Sequence, residues 1–312
     1  MSHSHNHSHF GDLATQTTKR LSLSLSLTAA FVLVEVAAGI FGNSLALLTD
    51  AAHNFTDVIA LGLSWYALKI ALKPANAGKT FGYHRVGILV ALVNSTTLIL
   101  IALGIFYEAW QRFLSPPEVD SAILMGVGAL AFFINAVTAW LVQKGSEHDL
   151  NLRSAFLHLM GDVISTLGAV IAGVVIYFTK WNWLDPFVSV LIGAFIVWNA
   201  WGILRQTIHI LLESTPENID MPTMISDIRK VHGVRDVHDL HVWSISEGLR
   251  MLSAHVVTDE ISLRDGTFIQ NNINEMLAHE YHIQHATLQL ECEGCQSSDL
   301  FCSIAEHHHA HH

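Results

Sequence analysis

Residues 44–72 read SLALLTDAAHNFTDVIALGLSWYALKIAL, an apolar segment interrupted by Asp50, His53 and Asp57. An α-helix rises about 1.5 Å per residue, so roughly 20 apolar residues are enough to cross the hydrocarbon core of a bilayer. An ionisable side chain at that depth is costly unless it pairs, faces a cavity or does functional work. The segment therefore predicts a transmembrane helix that carries a functional site.

Five further apolar runs of similar length occur along the chain, and the composition agrees with a membrane protein. Of all residues 51% are hydrophobic and only 14% are charged, whereas an ordinary soluble protein has about 25% charged residues. We expect an α-helical polytopic membrane protein with six transmembrane helices, at roughly residues 21–41, 44–72, 87–107, 122–142, 156–178 and 186–204.

Lysine and arginine residues near the ends of these helices favour one orientation. If the N-terminus is cytoplasmic, nine of them lie on the cytoplasmic side and only Arg112 and Lys180 lie on the other. Cytoplasmic connections carry an excess of positive residues in membrane proteins. The sequence therefore predicts a multi-pass protein of the cell (inner) membrane with both termini in the cytoplasm.

The last hundred residues form a different region. Residues 213–312 contain 16 acidic and 5 basic side chains. This balance argues against nucleic acid as a partner and favours a cation. The hydrophobic pattern changes there to helix, strand, strand, helix, strand, which predicts a cytosolic α+β domain of ferredoxin-like type, with elements near 221–231, 237–245, 249–257, 268–281 and 286–291.

These patterns predict four parts of the chain. Both ends are rich in histidine, and the three cysteines all lie in the last 21 residues, which favours metal binding over a disulfide framework. We expect a His-rich cytosolic tail at 1–18, the transmembrane domain at 19–212, the metal-binding ferredoxin-like domain at 213–296 and a Cys/His-rich tail at 297–312.

Two of the predicted transmembrane helices carry a histidine four residues before an aspartate. These pairs are His53 with Asp57 and His158 with Asp162. Residues four apart lie on the same helical face, so two such helices facing each other offer two imidazoles and two carboxylates. That set suits a tetrahedral Zn²⁺, whose charge the carboxylates neutralise. The alternative is that each histidine only bonds the aspartate of its own helix and stabilises packing.

Four sequence motifs extend this interpretation. They are GNSLALLTDAAH at 42–53, the paired HxxxD motifs, FGYHR at 81–85 and VHDLHVW at 237–243. Together they resemble the cation diffusion facilitators, and among these the bacterial cobalt-zinc-cadmium resistance type. The resemblance implies six transmembrane helices, a cytosolic ferredoxin-like domain, a homodimer, and export of cytosolic Zn²⁺ in exchange for H⁺.

The resemblance also assigns the membrane site, to His53, Asp57, His158 and Asp162. Two further residues are counted as accessory. Asp50 lies two turns before Asp57 and almost in line with it, which fits an approach site, a proton relay or the end of a helix. The second accessory residue is His84, in the FGYHR motif.

In the cytosolic domain the resemblance implies a metal site formed by His238, His255 and Glu291. Gln289 stands where some relatives have a ligand histidine. His285 lies on the same strand face as Glu291 by the period of two, and is expected to substitute for that ligand.

Two further expectations concern the same domain. Cys295 and Cys302 are expected to close a site against the opposite protomer, as the resemblance implies. By alternation along the strand, His241 and Trp243 lie on the face opposite His238, and we expect them to be part of the core.

Two other function classes stay open beside Zn²⁺/H⁺ antiport. A membrane-anchored metal sensor needs only the tail domain, and it does not explain ionisable residues in two transmembrane segments. An intramembrane zinc hydrolase needs an open coordination position and typically an HExxH helix, which the sequence lacks. We therefore expect a transporter and not an enzyme, with Zn²⁺ as substrate and as a regulatory or structural ligand of the tail. Co²⁺, Cd²⁺, Fe²⁺ and Mn²⁺ stay open as further substrates.

Overall fold

The computed structural model describes residues 29–146, 150–246 and 248–292. The chain forms two compact units. One consists of residues 1–66 and 90–204, and the other consists of residues 67–89 and 205–312. The first is helical, and the second contains a small sheet.

Within the described residues, six helices lie between residues 29 and 211. They are α1 (Ala29–Phe41), α2 (Leu45–Ala71), α3 (Arg85–Leu114), α4 (Ser121–Ser146), α5 (Leu150–Thr179) and α6 (Leu184–Leu211). Helix α2 begins after Ser44, whose Oγ accepts a hydrogen bond from the backbone N–H of Leu47 at 3.3 Å. This is the usual N-cap arrangement of a serine.

Four of the described helical segments are long and apolar enough to cross a membrane, namely Arg85–Leu114, Ser121–Trp140, Leu159–Thr179 and Leu184–Leu211. They agree with the last four predicted transmembrane helices. Large apolar side chains such as Phe41, Phe178 and Trp198 are exposed on the helices, which is typical of a surface that faces lipid and not water. The protein is therefore a multi-pass membrane protein, and the count of six spans stays a prediction.

Small residues allow the helices of the first unit to approach closely. A Cβ added at Gly173 in α5 would lie 2.8 Å from Met125 Cγ and 3.2 Å from the Met125 backbone nitrogen in α4. Close approach at glycine is a common way for membrane helices to pack. The side chains of Ala46, Leu47 and Leu124 are fully buried in the same region.

Asp185, at the start of α6, holds the N-terminal end of α2. Its carboxylate accepts hydrogen bonds from Ser44 Oγ at 2.5 Å and from the backbone N–H groups of Leu45 and Ala46 at 2.7 and 3.2 Å. Arg112 Nη1 of α3 lies 3.8 Å from Asp185 Oδ2. The carboxylate is completely buried, so one side chain joins three helices at this end of α2.

The second unit confirms the predicted order of elements. Its parts are α7 (Met221–Arg229), β1 (Val234–Ser246), β2 (Leu249–Thr258), α8 (Leu263–Tyr281) and β3 (Ile283–Glu291). The strands lie in the order β1-β2-β3, with β1 antiparallel and β3 parallel to β2. One face of the sheet packs against the two helices around a core that includes Leu240, Leu252 and Ile273.

The expectation that His241 and Trp243 are core residues is wrong. The pairing of β1 with β2 shifts between His238 and His241, where Asp239 adopts a left-handed φ of 48°. Such a β-bulge inserts one residue and moves the side chains that directly follow it to the other face. Leu240 and Val242 are therefore buried in the core, whereas His241 is exposed and Trp243 is half-buried.

Candidate metal sites

Three side chains of α2 and α5 form a group that we call the membrane cluster: His53, Asp57 and Asp162. His53 Nε2 lies 3.5 Å from Asp57 Oδ2 and 3.4 Å from Asp162 Oδ1. His53 and Asp162 are 6% and 5% exposed. The structure thus brings three of the four predicted membrane ligands together. The side chain of the fourth, His158, lies outside the described residues, although α5 carries it one turn before Asp162.

The two distances that His53 makes within this cluster suit a divalent cation. Two donor atoms that each bind a tetrahedral Zn²⁺ at about 2.0 to 2.1 Å are about 3.3 Å apart. The two observed nitrogen-to-oxygen distances are 3.4 and 3.5 Å. The arrangement combines one imidazole with two carboxylates, which together can neutralise a dication inside the membrane domain.

Neighbouring residues position the cluster, and the sequence-based prediction did not include them. Thr56 Oγ1 donates to the carbonyl of His53 at 2.7 Å, and Thr166 Oγ1 donates to that of Asp162 at 2.8 Å. A Cβ added at Gly161 would lie 2.9 Å from the ring of Phe195 in α6. Gly161 therefore lets α5 pack closely on α6 directly beside Asp162. In the sequence, the one feature that could have indicated this close packing is a glycine next to an ionisable residue within an apolar helix.

A second polar group lies in the same unit and is called here the carboxyl pair: Glu35 of α1 and Asp50 of α2. Asn54 Nδ2 donates to Glu35 Oε2 at 3.2 Å and to Asp50 Oδ2 at 3.3 Å. Glu35, Asp50 and Asn54 are 0%, 2% and 4% exposed. Asp50 is thus a buried member of a polar group between two helices and not an exposed helix-end residue. The signal for Glu35 was an acid within an apolar segment.

Three side chains on adjacent strands form the cytosolic cluster: His238 of β1, His255 of β2 and Glu291 of β3. His238 Nε2 lies 3.4 Å from Glu291 Oε2, and His255 Nδ1 lies 2.9 Å from Glu291 Oε1. The strand register places His238 directly opposite His255. One donor atom from each of the three residues lies within 4.8 Å of the others, so the predicted set is brought together on the sheet face opposite the helices.

The donor atoms of this cluster suit a cation. Among the described residues, His238 Nε2, His255 Nδ1 and Glu291 Oε2 are buried and, although they lie close to one another, none of them makes a contact with hydrogen-bond geometry. Buried polar atoms are normally satisfied, and exceptions often mark a missing ion or water. Gln289 Nε2 donates to Glu291 Oε1 at 2.8 Å and so holds the carboxylate toward the two histidines.

Asp239 and His241 extend the cytosolic cluster, which the strand alternation had not predicted. Asp239 Oδ1 lies 3.0 Å from His241 Nε2, and its Oδ2 lies 3.7 Å from His255 Nε2. Asp239 reaches both because it occupies the bulge of β1. The missing signal is the bulge itself, since a strand read with strict alternation places His241 on the wrong face.

The remaining predicted residues do not join these clusters. His285 is exposed, and it lies six residues before Glu291 in β3, about 20 Å along the strand at about 3.3 Å per residue. The expectation that it completes the site beside Glu291 is therefore corrected. His84 precedes α3 and belongs to no group of three or more metal ligands among the described residues. Cys295, Cys302 and both predicted tails, 1–18 and 297–312, lie outside the described residues.

Two family models match this chain. The model described as the cation efflux transmembrane domain matches residues 21–212, and the model described as the cation efflux protein cytoplasmic domain matches residues 216–293.

Three bacterial proteins named as transporters or efflux proteins are similar over most of the chain. A cadmium, cobalt and zinc/H(+)-K(+) antiporter of Bacillus subtilis is 36% identical, over 99% of this chain and 100% of the relative. The zinc transporter ZitB of Escherichia coli is 34% identical over 100% of both chains. The metal cation efflux system protein CzcD of Cupriavidus metallidurans is 34% identical over 95% of this chain and 92% of its own.

A solved structure also matches part of the chain. It is the metal-bound C-terminal domain of the CzcD transporter from the same organism as that last relative. It is 32% identical, covers 23% of this chain and 99% of its own, and has a TM-score of 0.22.

Proposed function

The chain belongs to the cation efflux family, and from that premise we propose that it exports Zn²⁺ from the cytosol in exchange for H⁺. The relatives are cation efflux transporters and not enzymes. The observation that carries the proposal is the membrane cluster, which gathers an imidazole and two carboxylates from two helices, with His53 and Asp162 buried. Such groups persist inside a membrane domain where they bind a substrate.

The transported ion binds to His53, Asp57, His158 and Asp162 in this proposal. A histidine must be neutral to bind metal, so Zn²⁺ and H⁺ compete for the same ring nitrogen. Zn²⁺ enters the site from the cytosol and leaves on the acidic outer side, where the emptied histidine takes up a proton. The two ions thus occupy the site in alternation, which couples their opposite movements.

Six transmembrane helices, cytoplasmic termini and an inner-membrane location complete the proposal. The cytosolic domain has the ferredoxin-like topology, pairs with a second copy in a homodimer and binds zinc at the cytosolic cluster as a regulatory ligand. Nitrogen and oxygen ligands rank divalent metals by affinity without excluding them. Since one relative is named for cadmium and cobalt as well as zinc, we expect Cd²⁺ and Co²⁺ as further substrates.

Flux measurements in proteoliposomes test this function. The full-length protein is reconstituted, a pH gradient is imposed, and Zn²⁺ and H⁺ are followed with separate dyes. We expect pH-driven Zn²⁺ flux in the wild type, and loss of that flux in His53→Ala. His209→Ala is the matched control, because His209 is exposed near the end of α6 and should keep normal flux. Persistent flux in His53→Ala would contradict the site.

The alternative function is a membrane-anchored metal sensor, in which only the tail domain acts. The cytosolic cluster is the observation that favours it. The same proteoliposomes separate the two functions, since a sensor binds Zn²⁺ but moves none across the membrane.

A further inference from the structure

The carboxyl pair of Glu35 and Asp50 has no part in the metal site proposed above. The two carboxylates come from different helices and meet at one amide nitrogen, Asn54 Nδ2, at 3.2 and 3.3 Å. Both are at least 98% buried. A buried carboxylate is costly unless its charge is paired, and within the described residues neither has a lysine, arginine or histidine nitrogen within 4 Å.

Each carboxylate also keeps one oxygen atom without a hydrogen-bond partner among the described residues, Glu35 Oε1 and Asp50 Oδ1. The other oxygen of each carboxylate accepts a hydrogen bond from Asn54 Nδ2. Two carboxylates held together in an apolar region carry their proton jointly, because like charges at short range cannot both persist. We propose that Glu35 and Asp50 form a proton-binding site of their own, which holds one shared proton while the metal site is empty.

The ligand set favours a proton over a metal ion. Zn²⁺ takes four ligands and Ca²⁺ takes six to eight oxygens, whereas only two oxygen atoms here lack a partner. The third polar group, Asn54, already donates from its nitrogen to both acids. One proton on either oxygen satisfies the pair without any further ligand.

The position of the pair couples it to the metal. Asp50 precedes His53 by three residues, about 4.5 Å along the helix axis. The other ionisable groups whose charges reach the pair are His53 of α2 and Asp162 of α5. A dication bound at the membrane cluster favours the ionised form of the carboxyl pair. Metal binding therefore expels the shared proton, and metal release lets it return. The pair then adds one H⁺ to those exchanged at the histidine ligands, an inference that rests on the proposed antiport.

The test counts the protons that move with each Zn²⁺ in the reconstituted full-length protein. Glu35→Gln and Asp50→Asn should each lower the ratio by one H⁺ per Zn²⁺, because the remaining carboxylate has no second negative charge beside it, stays ionised whether or not metal is bound, and so exchanges no proton. Zn²⁺ binding in detergent should keep its wild-type stoichiometry, since the metal ligands are untouched. Glu118→Gln, an exposed residue before α4, is the matched control and should keep the wild-type ratio.

An unchanged ratio in both variants would overturn the inference, and a loss of one bound Zn²⁺ would show that the pair ligates metal instead. Infrared difference spectra of wild-type protein give a readout that needs neither a variant nor transport. We expect the carbonyl band of a protonated carboxylic acid that disappears when Zn²⁺ is added and shifts in protein with ¹³C-labelled glutamate or aspartate. Absence of that band would also overturn the inference, whereas absence of Zn²⁺ flux in the wild type would contradict only the proposed antiport.

Discussion

The membrane cluster draws its ligands from two helices, whereas the cytosolic cluster draws them from three strands. In the membrane cluster, His53 and Asp57 share a face because they lie one helical turn apart, and only the packing of α5 on α2 is needed to add Asp162. In the cytosolic domain each ligand comes from a different strand, and the strand register alone makes His238 and His255 neighbours. The first site therefore depends on helix packing, and the second depends on register.

We propose transport for the membrane cluster and regulation for the cytosolic cluster. The largest effect that we expect tests this difference. Asp162→Asn should lower Zn²⁺ flux by at least about 100-fold, since even outer-shell partners of a metal are worth roughly 10-fold to 100-fold. Glu291→Gln should leave most of the flux and instead weaken Zn²⁺ binding by the cytosolic domain. Flux and binding stoichiometry of the full-length protein in proteoliposomes measure both. Equal loss of flux in the two variants would abolish the distinction between transport and tail sites.

Helix packing as the basis of the membrane cluster is tested at Asp185. Asp185→Ala removes three hydrogen bonds from the start of α2 and leaves buried donors unpaired. We expect a loss of about 2 to 4 kcal/mol in the free energy of unfolding, seen as a lower thermal midpoint in detergent. Asp185→Asn, which keeps one acceptor oxygen, should lose less. If Asp185→Ala unfolds at the wild-type temperature, α2 is held by other contacts.

A smaller effect is expected where α5 meets α6. In Gly161→Ala the new methyl group would lie 2.9 Å from the Phe195 ring and push the helices apart beside Asp162. Overpacking of this kind costs typically about 1 to 3 kcal/mol, and we expect a several-fold fall in flux. Gly168→Ala on the same helix is the matched control, because its Cβ would meet nothing closer than 4.0 Å. Equal flux in the two variants would show that the site tolerates a shift of α5.

The smallest expected effect lies in the cytosolic domain, where Tyr281 of α8 donates to Asp227 of α7 at 2.7 Å. Burial, and then the neighbouring Asp227 carboxylate, raise the pKa of Tyr281 from 10.0 to about 12. Because the folded pKa is raised, the stabilisation is full below pH 10 and is lost as the pH rises through about 12. Tyr281→Phe should lower the thermal midpoint by less than about 4 °C at neutral pH.

The same variant should unfold like the wild type above pH 12. Thermal unfolding of the full-length protein across this pH range measures the difference. A gap between the two proteins that persists undiminished above pH 12 would contradict the role of the hydroxyl proton.

Much of this arrangement was predictable from local patterns. The apolar runs agree with the four described helical segments that can cross a membrane, and the tail shows the predicted order of helices and strands. The pairing of His53 with Asp57 follows from the helical repeat alone. Such features depend on residues a few positions apart, for which the backbone geometry of one element is sufficient.

Errors arose where one residue changes the geometry or where distant elements meet. Strict alternation failed at Asp239, since one inserted residue reverses the faces of His241 and Trp243. The same alternation rule led us to expect His285 beside Glu291, but the two residues lie six positions apart on β3. A shared face is a property of the sequence, whereas a shared position along the sheet requires the register.

The sequence by itself determined which segments are apolar enough for a membrane, which helices carry ionisable groups and which order of elements forms the tail. These properties follow from hydrophobicity and from the repeats of single helices and strands. Only the tertiary structure decided that Glu35 meets Asp50, that Asp185 holds the start of α2 and that Glu291 closes on two histidines. Each of these contacts joins residues from different helices or strands. Such contacts form when many side chains are buried together in the folded protein, and the pattern of one helix or strand does not specify which other element it packs against.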